Sequence, residues 1–309
     1  MSLLSIGTMA FDAIETPFGK TDRIIGGSAV YVAWAASAFY KNIKLVSIIG
    51  GDFPQQEMDA LAARGTQFEG VEIVPDGKSF FWSGRYHMDM NTRDTLVTDL
   101  NVLAQFDPKV PESYQDCEYL MLGNLAPATQ ISVIKQLKNR PKLIVMDTMN
   151  FWMDNALSEL HEALAMVDVL VVNDSEARQL SGEYAISKAA KKIMTMGPKY
   201  LVVKKGEHGA LLFHEDRIFS APALPLDEVF DPTGAGDTFA GGFIGYIART
   251  GDTSFENMRT AVVAGSAMAS FCVEKFGPDR MREINQDDIA ARLRTFTELA
   301  NFKSVVTVS

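Results

Sequence analysis

The stretch that decides the fold reads Asp231-Pro232-Thr233-Gly234-Ala235-Gly236-Asp237-Thr238, and it runs straight into Phe239-Ala240-Gly241-Gly242-Phe243-Ile244-Gly245-Tyr246-Ile247. Gly234 and Gly236 around an alanine let the backbone take dihedrals that other residues avoid, and let a second group come close. The small apolar residues that follow contain no proline and suffice for a buried helix of three turns or more. A glycine turn feeding a helix gathers free backbone N–H groups and the positive end of the helix dipole, a natural seat for phosphate. Inside that seat stands a carboxylate, Asp237. Like charges repel, so its place there suits a group that takes a proton from a hydroxyl attacking phosphorus. By itself, Asp237-Thr238 after a glycine loop also reads as an ordinary helix N-cap.

Around that stretch, 309 residues are enough for one large α/β domain or two small ones. A hydrophobic share of 47% with 22% charged residues is ordinary for a soluble enzyme. The net charge is −10 and no basic block of five or more occurs, which argues against nucleic-acid binding. Any polyanion site must therefore be built locally, from dipoles, a few lysines and a metal ion. Cys117 and Cys272 show neither a CxxC pair nor metal-ligand spacing. The longest apolar run, Leu164 to Val172, is broken by Asp168 and falls short of a membrane span, so a cytoplasmic protein is expected.

Outward from the signature, the C-terminal side reads as a small-residue helix from Ser254 to Val273 and a last helix from about Gln286 to Leu299. On the N-terminal side, Tyr119–Leu122, Leu143–Asp147, Val169–Val172 and Tyr200–Lys204 are short apolar runs separated by helical stretches at 127–138, 155–166 and 187–196. That alternation implies parallel βαβ units with right-handed crossovers. A hairpin-like pair is expected around Gly206 and Gly209. Near the start, Leu3–Ile6 and Lys44–Ile49 read as buried strands, and Ser28–Phe39 reads as a helix capped by Ser28. Val71–Thr98, with Phe80-Phe81-Trp82, is expected to form antiparallel strands outside the main sheet, a partial lid. The whole of 1–309 thus reads as a single α/β domain with a lid at roughly 13–25 and 78–98.

In an open parallel sheet, ligands bind outside the carboxyl ends of the strands. The polar residues that follow the strands are Asn124, Asp147, Asn173, Glu176, Lys204 and Lys205, with Asp231 and Asp237 bracketing the glycine turn. Singly, each has a plainer reading; Asn173-Asp174-Ser175-Glu176 is also a helix capping box. Together, on one edge of one sheet, they are better explained by a shared ligand.

The signature Asp-x-Thr-Gly-Ala-Gly-Asp-Thr-Phe closely resembles that of the PfkB (ribokinase-like) family of carbohydrate and nucleoside kinases, and the resemblance runs from about Leu4 to Gly277. It implies a ribokinase-like three-layer sandwich with a mostly parallel central sheet and a small β-sheet lid. It also implies ATP and Mg²⁺ as cofactors. Gly26-Gly27 resembles the family's hinge between lid and core, and Asp12 the acidic residue that binds acceptor hydroxyls. Asn173 and Glu176 match the motif that organises Mg²⁺ and phosphates through water. Lys204, Gly206 and Gly209 fall on the loop along the nucleotide, with Thr233 beside it, and Gly265, Ser266 and Ala267 on the helix bordering the adenine. Asp231 and Thr233 resemble positions that line a K⁺ site in some relatives.

Four positions depart from the pattern: Tyr31 stands for an acceptor-contacting Asn, Trp152 for an Arg, Lys204 for a Thr, and a glycine expected soon after Gly51-Asp52 is absent. These leave the phosphoryl-transfer machinery intact and put the acceptor pocket in doubt. The expected reaction moves the ATP γ-phosphoryl group to a hydroxyl of a sugar or nucleoside. Asp237 would be the base, with a low pKa beside the helix N-terminus, and the N–H groups of Gly234, Ala235 and Gly236 the anion hole. Asp12, Gly26, Gly27, Tyr31 and Asn124 would face the acceptor. Tyr31 and the aromatic lid tilt that acceptor toward a nucleoside, by stacking. Arg85 and Arg93 read as solvated lid residues or, alternatively, as the cationic cluster of a sugar-phosphate kinase. The aromatic lid also reads as the face of a homodimer. A nucleotide-binding regulator without turnover stays open as a non-enzymatic alternative. A Rossmann dehydrogenase lacks its glycine turn, since Gly7 is followed by Thr8-Met9-Ala10.

Overall fold

Leu143 to Met146 show why the central strands read as unbroken apolar runs. Successive side chains of a strand point to opposite faces. Leu143 and Val145 enter one core, Ile144 and Met146 the other, and all four are buried. A strand covered on both faces needs no polar alternation.

A computed structural model describes residues 1–301. The chain begins with β1 (Leu3–Ile6), β2 (Ala10–Thr16), β3 (Gly19–Lys20), β4 (Ile24–Gly26), α1 (Ser28–Ser37), β5 (Ile43–Gly50), α2 (Gln55–Ala63) and β6 (Thr66–Val74). There follow β7 (Phe80–Tyr86), β8 (Arg93–Asp99), β9 (Tyr119–Leu122), α3 (Pro127–Lys135), β10 (Leu143–Asp147), α4 (Asn150–Asn155), α5 (Leu157–Leu164) and β11 (Val169–Asn173). The last part comprises α6 (Asp174–Ser181), α7 (Ile186–Met194), β12 (Tyr200–Lys204), β13 (Ala210–His214), β14 (Arg217–Ala221), α8 (Ala235–Thr250), α9 (Phe255–Cys272), α10 (Asp279–Glu283) and α11 (Gln286–Ala300).

Nine strands form the central sheet in the order β14-β13-β12-β11-β10-β9-β1-β5-β6. It is parallel from β12 to β6, and β13 and β14 add an antiparallel edge. Helices α1, α8 and α9 cover one face and α3, α5, α6 and α7 the other, giving three layers. From β1 the chain works outward through β5 to β6, then returns to β9 on the other flank of β1. That reversal is a topological switch point, where the carboxyl ends of the strands leave a crevice.

The second sheet runs β3-β2-β7-β8, with β4 also paired to β2. Two expectations are corrected here. Val71–Val74, the end of β6, belongs to the central sheet, parallel to β5, and not to a separate antiparallel layer. Strand β6 is an edge strand with only Thr66 buried, so it lacks the apolar run that marks its neighbours. Within the second sheet, β2 and β7 pair in parallel, because the whole of α1 to β6 intervenes between them.

Helix α1 also starts differently than expected. Gly27, at φ 96, is the N-cap, and Ser28 is the first helical residue without a side-chain cap of its own. A positive φ here favours glycine. Thr8 does the capping instead: its Oγ1 accepts from the Ser28 N–H (3.0 Å), its carbonyl from the Ala29 N–H (2.9 Å), and its own N–H donates to Ser28 Oγ (3.0 Å). Among the described residues no helix is long and apolar enough to cross a membrane.

Candidate active site

The signature turn is held from behind. Asp231 is fully buried, and its carboxylate accepts from the Thr233 N–H (2.8 Å) and the Gly277 N–H (3.0 Å), tying the turn to the segment after α9. Gly234 then takes φ 73 as the N-cap of α8, with the Tyr31 ring packed where a Cβ would stand. A side chain at Gly234 would meet both penalties, left-handed backbone and a ring. At the head of α8 the Ala235 N–H is already donated to Pro232 O (3.2 Å). The N–H groups of Gly234 and Gly236 have no protein acceptor among the described residues. The open N–H groups at the head of α8 are therefore those of Gly234 and Gly236, while the Ala235 N–H serves the turn.

Asp237 is the third residue of α8, part-exposed at the rim of this seat. Its pKa reverses the expectation. Burial, then the charge of Asp147, push the carboxyl up to about 7, against the pull of Lys204 and Arg93. Desolvation and a like charge outweigh the helix dipole. Asp12, on β2, is 5% exposed, and its carboxylate occupies the space beside Gly26 that a Cβ would fill. Burial, then Asp231 and Asp237, raise it to about 8. Asp12, Asp231 and Asp237 thus share one electrostatic region. Neither Asp12 nor Asp237 accepts a side-chain hydrogen bond from another described residue. Asp12 is recessed and Asp237 part-exposed, and both carboxyls are left free of protein partners at this edge.

The strand ends bring a second group together. Lys204 closes β12 opposite Asn173 of β11, and its Nζ is 3.7 Å from Asp147 Oδ2 at the end of β10. Burial works against its charge, but Asp147, Glu176 and Asp237 outweigh burial and hold it protonated. Asn173 and Glu176 do form the capping box of α6: Asn173 Oδ1 accepts from the Glu176 N–H (2.8 Å), and Glu176 Oε2 from the Asn173 N–H (2.7 Å). Glu176 is nonetheless 7% exposed, and burial raises it to about 7 against the pull of Lys204. Capping and a place at the site coexist in one residue. Among the described residues no cluster of three or more His, Cys, Asp or Glu has metal-holding geometry.

Other residues sit where packing accounts for them. Tyr31 is 1% exposed, so the stacking surface expected of its ring is covered. Its hydroxyl is buried without a partner among the described residues. Asn124 accepts from Trp152 Nε1 (2.9 Å) and turns its amide to Met149 Sδ, so the Trp152 departure occupies it. Gly265 lies against α8, where a Cβ would come 2.7 Å from Phe239 O, and Ser266 is its part-exposed neighbour on α9. Gly209, at φ 82, turns β12 into β13, and Gly27 forms the joint described above.

The second sheet reaches over this edge at two points. Thr233 Oγ1 donates to the Tyr86 hydroxyl at the end of β7 (3.2 Å), and Asn91, on the β7–β8 turn, lies over Gly206. At its base, Asp52 accepts from the Ser79 N–H and hydroxyl (2.8 Å each) and from Arg23 (2.5 Å). The two lid arginines part company. Arg85 pairs with Glu15 at 2.7 Å, whereas Arg93, opposite Tyr86, makes no ion pair among the described residues and pulls on Asp237 and Glu176. Sequence reasoning puts Arg93 on the lid, solvated or in a cationic cluster, and Tyr86 in its aromatic surface; it ties neither to the signature turn. Their signal was an aromatic and a cation on facing strands, visible only once the register is known.

Residues 2–285 match the pfkB family of carbohydrate kinases. The chain belongs to that family. This pfkB-family kinase is a phosphotransferase with an alcohol acceptor, for which ATP and Mg²⁺ are the expected cofactors. It is 30% identical to the cytidine kinase of Thermococcus kodakarensis over 81% of this chain and 89% of that protein. It is 27% identical to the nucleoside kinase of Methanothermobacter thermautotrophicus over 96% and 95%. Among solved structures it is similar to the Burkholderia thailandensis nucleoside kinase in complex with ADP-inosine, with TM-score 0.76 and 20% identity over 99% of both chains. The Thermotoga maritima ribokinase gives TM-score 0.74 and 19% identity over 95% of this chain and 99% of that one. With these structures the chain shares the ribokinase fold.

Proposed function

We propose that this kinase transfers the γ-phosphoryl group of ATP to a hydroxyl of a nucleoside. The observation that carries the reading is the pair Asp12 and Asp237, one recessed and one at the rim, raised to about 8 and about 7, neither accepting a side-chain hydrogen bond from another described residue. Asp12 would accept hydrogen bonds from acceptor hydroxyls, with Gly26, Gly27, Tyr31 and Asn124 shaping the pocket around it. Asp237 would take the proton of the attacking hydroxyl; a carboxyl near pH 7 is well matched to that task. The free N–H groups of Gly234 and Gly236 and the dipole of α8 would stabilise the phosphoryl oxygens, with Ala235 and Thr233 fixing the turn.

Glu176 and Asn173 would act on Mg²⁺ through water; Mg²⁺ keeps several waters and takes phosphate oxygens, which suits a site without a protein cage. Lys204, Gly206 and Gly209 would line the triphosphate, and Gly265 and Ser266 the adenine. The buried Asp231 loop is the proposed K⁺ position. The second sheet would act as a lid, closing through Tyr86 and Asn91 and excluding water.

The nucleoside is favoured over a sugar phosphate by the Glu15 carboxylate that neutralises Arg85, leaving Arg93 as the lid arginine without an ion pair among the described residues. The names of the cytidine and nucleoside kinase relatives support the same acceptor class. The exposed β8 edge, with Leu96 47% and Val97 40% exposed, supports a homodimer through the lid, and the two free cysteines a cytoplasmic setting. ATP consumption across nucleosides, sugars and sugar phosphates, with and without K⁺, tests the reading. Turnover confined to sugar phosphates would overturn the acceptor class.

A further inference from the structure

Lys204 occupies a place that loop-lining does not explain. Its Nζ would lie 2.8 Å from a Cβ at Gly236, and its Cε 3.8 Å, so the ammonium stands over the second residue of α8. A cation at the positive end of a helix is unfavourable by itself. Its countercharge, Asp147 Oδ2, is 3.7 Å away, beyond hydrogen-bond length. Both side chains are recessed, at 18% and 8% exposure. That long ion pair is the one contact of Lys204 with an acidic side chain among the described residues, and it leaves Nζ beside Gly236, whose N–H has no protein acceptor. A recessed ammonium beside the head of a helix whose first amides are open suits a multiply charged anion.

We propose that Lys204 is a catalytic residue whose ammonium touches the phosphoryl group in transit, and that Asp147 is the positioning residue that aims it. The inference rests on the kinase reading above and extends it. In the step, the acceptor oxygen forms its bond to phosphorus while the bond from phosphorus to the β–γ bridging oxygen breaks. The electron pair of the broken bond stays on ADP, and the hydroxyl proton goes to Asp237. Charge grows on the equatorial and bridging oxygens, and Lys204 donates to them from its place beside Gly236. Asp147 keeps the ammonium over Gly236 when the seat is empty, without binding it so closely that it cannot turn to phosphate.

The test uses the full chain with Lys204→Met, Lys204→Thr and Asp147→Asn, each checked for folding by thermal melting. Calorimetry without acceptor compares a non-hydrolysable ATP analogue with ADP, both with Mg²⁺. Lys204→Met is expected to weaken the analogue about tenfold more than ADP and to lower kcat roughly 100-fold, the scale for one preorganised donor. The acid limb of its kcat/KM profile should move to higher pH, because Asp237 then faces Asp12 and Asp147 with only Arg93 left as a cation. Asp147→Asn should give a smaller loss of kcat with nearly unchanged ADP affinity.

Equal weakening of analogue and ADP, or kcat within threefold of wild type, would overturn the assignment and leave a plain ion pair. If Lys204→Met does not fold, because Asp147 is left recessed and unpaired, the double variant with Asp147→Asn carries the same binding comparison on a neutral pair. Because that comparison needs no acceptor, it stands or falls separately from the nucleoside reading. Wild type that turns over sugars but no nucleoside, with the difference between analogue and ADP intact, would sink only the latter.

Discussion

Arg85 on the second sheet and Lys204 at the edge of the central one are both cations beside a carboxylate, and their settings differ. The Arg85–Glu15 pair is the closer, at 2.7 Å, but its side chains are 53% and 32% exposed. The Lys204–Asp147 pair is 3.7 Å apart with 18% and 8% exposure. Water and salt screen the first, so its tight geometry contributes little. Around the second, low polarisability lets each charge act on the next, and Asp237, Glu176 and Lys204 all shift. Exposure, more than distance, separates the working edge from its cover. Strand β8 makes the same point, with all seven residues exposed against five buried residues in β10.

The largest effect expected from this contrast is at Asp237. Asp237→Asn should lower kcat roughly 10³-fold or more, within the range for a lost general base, while nucleotide affinity measured by calorimetry stays within about threefold. A variant that turned over normally would remove the base and with it the meaning of the buried edge. Next comes Gly236→Val, whose Cβ would stand 2.8 Å from Lys204 Nζ and fill the anion seat. About a 100-fold loss of kcat/KM is expected, the size of a missing oxyanion donor.

The pH dependence is gentler. Only the ionised form of Asp237 accepts a proton, and its carboxyl is raised to about 7, so kcat/KM should climb with pH and level off above that value. A limb near the ordinary carboxylate value, about 4, would mean that burial does not act on Asp237 as described. Stability runs the opposite way. A carboxyl raised on folding holds a proton that the unfolded chain has released, so its contribution is full below the unfolded value, about 3.9, and fades as pH rises. For Asp12, raised to about 8, that predicts a melting temperature of the free protein that falls between about pH 4 and 8. A melting temperature that climbs steadily across that range would refute it.

The smallest effects belong to the cover. Tyr86→Phe removes the acceptor of the Thr233 hydroxyl, a bond at 3.2 Å, and should lower kcat/KM about fivefold, since one neutral hydrogen bond is worth roughly 1 kcal/mol. ATP hydrolysis without acceptor should rise with it. Arg85→Ala, beside it in sequence and solvated, should leave both rates unchanged. If the two variants behaved alike, the second sheet would not be closing on the signature turn.

Much of the central sheet was readable because its strands are covered on both faces and keep unbroken apolar runs, as at Leu143–Asp147. The end of the edge strand, Val71–Val74, was misplaced because its exposed residues imitate a surface segment. Glycine spacing around Ala235 pointed to a helix head, but which amides stay open depends on the bond from Ala235 to Pro232 O. Tyr31 looked like a stacking surface, and nothing along the chain brings Gly234 over its ring.

From the sequence alone came the family, the three layers and the set of polar residues at the strand ends, because these depend on local periodicity and on ordered residues within one turn. Only the tertiary structure decided that Asp237 titrates near neutrality, that Lys204 stands above Gly236, and that Arg93 and not Arg85 acts on the site. Those outcomes follow from desolvation and from distances between residues far apart in the chain. Neither quantity exists until the strands have been laid side by side.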